Sequence, residues 1–368
     1  MSWSVRIGKV FGVDVYLHVT FLLLLGFVGL SHWRQSHELS AVLAGVGFFV
    51  ALFACVLLHE FGHVLTARKF GVSTRDITLL PIGGLARLER MPDKPMQEFW
   101  VAIAGPAVNV VIAGAIIIYL LATSAIVPIE QLSVTGGSFL ARLAAINVFL
   151  VLFNMLPAFP MDGGRVLRAL LATRMEYARA TNIAARLGQF MALVFVFVGL
   201  FWNPMLIFIA FLVWMGASLE SGMVQFKSAL AGVPMQRVML TEFRTLAPSD
   251  PLSRAVEYTM AGFQQDFPVV EPDGRLVGVL TRAALIGALA QRGPTAVTSD
   301  VMQREFRTAD PSEMADGVLA RLQECKCSSL PVLHQGRLVG IVTAENLGEF
   351  LMIQAALRGG GPAPTVTA

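Results

Sequence analysis

His59, Glu60 and His63 stand in one apolar stretch and spell H-E-x-x-H. Positions four apart share a face of a helix, so the two imidazoles can grip one zinc ion. Glu60 lies beside that face and can draw a proton from a water that the metal has made acidic. Residues 48–56 before the motif and Val64 and Leu65 after it are apolar. A metal pair that activates water is therefore predicted inside a membrane.

Two imidazoles do not complete a catalytic site, because catalytic zinc takes three protein ligands and keeps one position open. The extension H-E-x-x-H-x-x-G-x-x-H fails, since Thr66 and Lys69 stand where it needs glycine and histidine. A downstream glutamate on a helix would also serve. Glu89 and Asp93 give the spelling E-x-x-x-D, but Pro92 between them opposes a helix. Asp162 is the better candidate. Pro157 and Pro160 break the helix ahead of it, and Gly163 and Gly164 let the backbone turn tightly. A carboxylate at a membrane edge is costly unless paired or bound to metal. A second reading stays open, in which Asp162 caps the amphipathic stretch from Arg165 to Arg174.

The elements that must carry these side chains are apolar runs, nearly all before residue 220. The chain has 368 residues, 55% hydrophobic and 14% charged, where soluble domains carry about 25% charged. A membrane domain followed by a soluble one is expected. Six runs approach the roughly 20 residues that a crossing needs: 16–31, 39–70, 99–126, 139–159, 187–202 and 204–219. With the N-terminus inside, the inner segments hold Arg6 and Lys9, then Arg68, Lys69, Arg75, Arg87, Arg90 and Lys94, then Arg165, Arg168, Arg174, Arg179 and Arg186. The outer segments hold Arg34 and Arg142. By the positive-inside rule both termini and the metal pair lie toward the cytoplasm. Residues 77–88 read as two short strands about a Pro-Gly-Gly turn zone, a β-hairpin beside the metal helix. It can enter the membrane only where protein or a wet cavity satisfies its backbone.

The net charge of +3 gives no ground for a nucleic-acid partner. Of the three cysteines, Cys55 reads as core filler, and Cys325 and Cys327 read as reduced thiols. No cleaved signal is expected at the N-terminus.

The soluble part repeats. Phe267-Pro268-Val269-Val270 and Gly274 to Thr281 return, about 63 residues on, as Leu330-Pro331-Val332-Leu333 and Gly336 to Thr343. Val238-Met239 and Val301-Met302 keep the same offset. Each copy reads as helix, strand, tight turn, strand, helix. The expected organisation is a membrane domain over 1–222, a linker over 223–232, modules over about 233–295 and 296–358, and a disordered tail over 359–368.

These motifs resemble a known family. The H-E-F-G-H run, the stretch from Asn154 to Gly163 ending in Asp-Gly, and Gly105-Pro106-Ala107-Val108-Asn109 are similar to the site-2 protease metalloproteases. The opening from Ile7 to Val13, with His18, resembles members that carry a C-terminal pair of CBS modules, and the repeat resembles that pair. The resemblance implies an α-helical polytopic membrane protein of about six transmembrane helices with a membrane-associated β-hairpin, plus a C-terminal α/β CBS-pair domain. It implies one zinc per chain on His59, His63 and Asp162, with Glu60 as general base. Asn154 would orient the substrate or oxyanion and Asn109 would act near the substrate. His18 and Asn147 read as packing or hydrogen-bonding residues.

The implied activity is hydrolysis of peptide bonds in or near the transmembrane segment of a single-span protein, such as a membrane-tethered regulator, at the cell membrane. The CBS pair implies regulation by an adenine nucleotide through Thr281, Thr343 and Asn346. The family's pattern places Asp three residues after the threonine, whereas Ala284 and Asn346 stand there. A structural role, or a homodimer through the CBS pair, stays open beside it. Two rival classes are a CBS-regulated transporter or channel and an inactive adaptor that binds membrane helices. Neither requires Glu60 between the two histidines or a distant Asp-Gly carboxylate.

Overall fold

The computed structural model describes residues 3–81, 83–88, 94–123, 138–262, 264–325 and 327–357. The chain divides into two compact units, Met1–Ser221 and Gly222–Ala368.

The first unit begins with strands β1 (Ser4–Val10) and β2 (Val13–His18) and helix α1 (Val19–Ser36). Helix α2 (Leu39–Lys69) contains no proline and ends where Gly71, at φ 75°, reverses the chain. Its 31 residues, at 1.5 Å each, exceed the roughly 30 Å of a hydrocarbon core. Strands β3 (Thr74–Leu80) and β4 (Gly83–Leu88) follow. Helix α3 (Pro95–Ala122) opens on a proline, where the missing N–H costs nothing. Then come α4 (Phe139–Asn154), α5 (Asp162–Ala172), α6 (Tyr177–Phe201) and α7 (Met205–Leu230). The stretch expected as a linker is thus helical through Leu230.

The hairpin expected at 77–88 belongs to a larger sheet of order β1-β2-β3-β4. Strands β2 and β3 pair in parallel from Asp14↔Asp76 to Leu17↔Leu79, and the other two pairs are antiparallel. Val13, Val15 and Ile77 pack on Phe61 and Val64 of α2. The sheet is therefore mounted on the helix that carries the histidine pair, and β4 is one of its edges.

Among the described residues, α2, α3, α6 and α7 are long and apolar enough to cross a membrane. Four of the six expected spans meet the length and composition of a crossing, and the other two are not confirmed. The run at 16–31 gives its first residues to β2, and α1 then ends in His32-Trp33-Arg34-Gln35-Ser36, polar apart from Trp33. The run at 139–159 stops as a helix at Asn154, ahead of Pro157, which leaves α4 16 residues long.

The second unit holds two modules: α8 (Leu252–Ala261), β5 (Phe267–Val270), β6 (Leu276–Leu280) and α9 (Arg282–Arg292), then α10 (Ala315–Cys325), β7 (Ser329–His334), β8 (Arg337–Thr343) and α11 (Ala344–Leu357). The repeated Val-Met pairs have a structural reason. A Cβ on Gly340 would meet the Met239 sulfur at 2.8 Å, and one on Gly278 would meet the Met302 sulfur at 2.6 Å. Leu240 bridges Ile341 and Gln303 bridges Val279. Each module's lead-in seats on the other module's hairpin. Buried Asp266 adds a polar tie, accepting hydrogen bonds from Ser328 and Ser329 of the second module at 2.6 and 2.8 Å.

Cys325 and Cys327, expected as reduced thiols, are joined by a disulfide. Cys55 is free and buried. The tail at 359–368 and the alternative ligand Glu89 lie outside the described residues.

Candidate metal centre

The helical spacing of His59 and His63 puts both rings on one buried face of α2, against α3. His63 Nδ1 lies 2.7 Å from the carbonyl oxygen of Val101. A carbonyl only accepts, so this nitrogen carries the proton. His59 Nδ1 lies 2.6 Å from Asn109 Oδ1. The orientation of that amide follows from its neighbours. Asn147 Nδ2 donates to the Leu143 carbonyl at 2.8 Å, and Asn109 Nδ2 donates to Asn147 Oδ1 at 2.8 Å. Asn109 Oδ1 therefore faces His59 and accepts its Nδ1 proton. Both histidines are held in the tautomer that leaves Nε2 free, the usual arrangement behind a metal-binding imidazole.

The two Nε2 atoms are 3.1 Å apart. Asp162 Oδ2 lies 3.1 Å from His59 Nε2 and 3.2 Å from His63 Nε2. All three residues are buried. Asp162 is the first residue of α5, and the N-cap is Met161, so the reading of Asp162 as the cap of a helix from Arg165 is corrected.

This triangle fits zinc. Tetrahedral bonds of about 2.0–2.1 Å set ligand atoms roughly 3.3–3.5 Å apart, within a few tenths of the observed spacing. Two neutral nitrogens and one carboxylate oxygen leave a fourth position for water. Three electron-pair donors converging in a buried site repel one another without a cation between them. The backbone makes room as well. A Cβ on Gly105 of α3 would stand 2.2 Å from His63 Nε2 and 2.7 Å from His59 Nε2.

Glu60 is half-buried and runs beneath β4, where a Cβ on Gly84 would meet its Cγ at 2.5 Å. Asn154 is the last residue of α4, half-buried and outside the Asn109–Asn147 chain. His18 caps α1, its Nδ1 accepting from the Thr20 backbone N–H at 3.3 Å. In the second unit, the Thr281 hydroxyl accepts from Ala284 N at 3.3 Å and caps α9. Thr343 donates to Asn346 Oδ1 at 2.8 Å and accepts from Asn346 N at 3.2 Å. Sequence reasoning missed the contacts of Val101 and Asn109 with the histidines. Its only signal was a pair of asparagines, Asn109 and Asn147, in apolar helices.

The model of peptidase family M50 matches residues 47–195, and the CBS domain model matches residues 235–291 and 297–352. Zinc metalloprotease MJ0392 of Methanocaldococcus jannaschii is 32% identical over 349 residues, which covers 94% of this chain and 96% of that protein. A solved structure, the site-2 protease from Methanocaldococcus jannaschii, is 35% identical, with a TM-score of 0.44 and coverage of 60% of this chain and 95% of that one.

Proposed function

The chain belongs to the M50 family of site-2-type zinc metalloproteases and carries a C-terminal CBS pair, and from that premise we propose that it cuts a single-span membrane protein in or near its transmembrane segment. The observation that carries this reading is the buried triangle of His59, His63 and Asp162 beside Glu60. These three residues would hold zinc, which when bound polarises the scissile carbonyl and lowers the pKa of water to about 7.

Glu60 takes the proton of the attacking water and passes it to the leaving amine. A substrate helix hides its carbonyls in hydrogen bonds, so it unwinds before cleavage. The edge of β4 offers a template for the unwound segment by strand addition, since Gly84 of that strand lies against Glu60. Asn154, at the C-terminal end of α4, orients the substrate or the oxyanion. The basic residues flanking the apolar runs favour cytoplasmic termini and water entry from that side.

We assign residues 1–222 to the protease and 233–358 to the CBS pair. The hydroxyls of Thr281 and Thr343 are engaged at helix starts, and no carboxylate follows either at the third position. This supports a structural or dimerising role for the pair over an adenine-nucleotide site. Calorimetric titration of the full chain with ATP and AMP tests it, and binding heat with a thermal shift rejects it.

The activity is tested with purified chain in detergent. One zinc per chain is expected by elemental analysis. Cleavage of a single-span substrate should stop with chelator and return with zinc. A metal-free preparation that still cleaves, or a zinc-loaded one that cleaves no membrane substrate, rejects the reading.

A further inference from the structure

Arg168 is fully buried on α5, six residues after Asp162. Its Nε donates to Glu98 Oε1 at 2.7 Å, and its Nη1 donates to Glu220 Oε1 at 2.5 Å. The guanidinium carbon also lies 5.0 Å from the ring centre of Phe159 and 4.9 Å from that of Tyr177. One cation thus joins α5 to α3 and α7 and is packed against α6 and the segment before α5.

The α3 arm matters because of what else that helix face carries. Glu98, Val101, Gly105 and Asn109 are spaced three, four and four apart, which makes one buried stripe. Val101 holds His63, Asn109 holds His59, and Gly105 clears the space between their Nε2 atoms. The two imidazoles are therefore referenced to α3, while the third ligand rides on α5. The distance between Asp162 Oδ2 and the histidines depends on how α5 is fixed to α3, and the Glu98–Arg168 pair is a buried polar tie within that packing.

Stability alone is a weak reason for such a group, since a buried ion pair can often be exchanged for well-packed apolar residues. A planar fork that meets two carboxylates at once fixes direction, which a lysine ammonium does not.

We propose that Arg168 is a positioning residue for the metal centre, which through Glu98 and Glu220 sets where α5 presents Asp162 to His59 and His63. The proposal rests on the zinc-protease reading above. Its test uses the full chain in detergent and the variants Arg168→Lys and Glu220→Gln. The second removes one arm at a side chain that is 29% exposed and leaves the buried Glu98 pair intact. Three quantities are measured: zinc affinity by competition with a chromogenic chelator, kcat and KM on a single-span substrate, and the unfolding temperature of the zinc-free chain.

In Arg168→Lys, zinc affinity is expected to fall about tenfold or more, the scale seen for residues that support metal ligands. The kcat should fall with KM unchanged. Glu220→Gln should show the same pattern more weakly. Zinc affinity equal to that of the unchanged chain in every variant that folds, with only the zinc-free unfolding temperature lowered, overturns the proposal and leaves a structural ion pair. That outcome leaves the protease reading standing, whereas an unchanged chain that binds no zinc overturns both.

Discussion

Asn109 accepts the Nδ1 proton of His59 at 2.6 Å, which turns the Nε2 lone pair of that ring toward Asp162. An asparagine on α3 thus sets the protonation pattern of an imidazole on α2, and Asn147 on α4 sets the orientation of the asparagine. Replacing Asn109 by Leu removes the acceptor and frees the ring. Zinc affinity should drop about 10- to 100-fold, read by chelator competition. If Asn109 instead acts on the substrate, as the family resemblance implies, KM rises and zinc binding is unchanged.

Glu60 lies beside the ligand triangle and is not one of its corners. Glu60→Gln keeps the size and removes the base. The variant should hold one zinc per chain and lose about 10²- to 10⁴-fold in cleavage rate. Full turnover by this variant rejects the assignment.

Gly105 tests the packing itself, because its substitution deletes no ligand. Alanine favours a helix over glycine by about 1 kcal/mol, so α3 alone is not weakened by the change. A Cβ placed 2.2 Å from His63 Nε2 must push α3 or the ring aside. Gly105→Ala should therefore lose zinc and activity together in elemental analysis and cleavage assays. A fully loaded and active variant would show that the helices relax without disturbing the site.

The second unit should carry a pH dependence of its own. The hydrogen bond from Arg321 holds the Glu313 carboxyl below its ordinary value of 4.5, and that from Ser312 holds Asp310 below 3.8. Both groups bind protons more weakly when folded. Their contribution is complete above the ordinary values and is lost as pH falls through the lower folded ones. Both are only half-buried and open to solvent screening, so the effect is small. Unfolding of the full chain followed by far-UV circular dichroism should show the second unit weakening below about pH 4.5, and Glu313→Gln should flatten that slope.

Much of the molecule was legible in the sequence because the relevant signals are local. The spacing of His59 and His63 is a property of one helix turn. The proline and glycine residues around Asp162 mark a chain break wherever the segment lies. The 63-residue offset of the repeat is visible without any fold, although the reason for its Val-Met pairs is not. The exchange of Met239 and Met302 between the modules depends on which hairpin each lead-in reaches. The N-terminal strands were missed because β2 pairs with residues 76–79, far along the chain, and a short alternating stretch does not name its partner.

Residue type and helical period by themselves determined the histidine pair, its neighbouring glutamate and the division into apolar and repeat-bearing parts. Only the packing of α2, α3 and α5 decided that Asp162 closes the triangle, that Val101 and Asn109 hold the ring protons, and that Gly105 leaves the space. The reason is that a ligand set is a matter of distances across helices. Those distances follow from side chains interlocking on three separate segments, and no single segment encodes them.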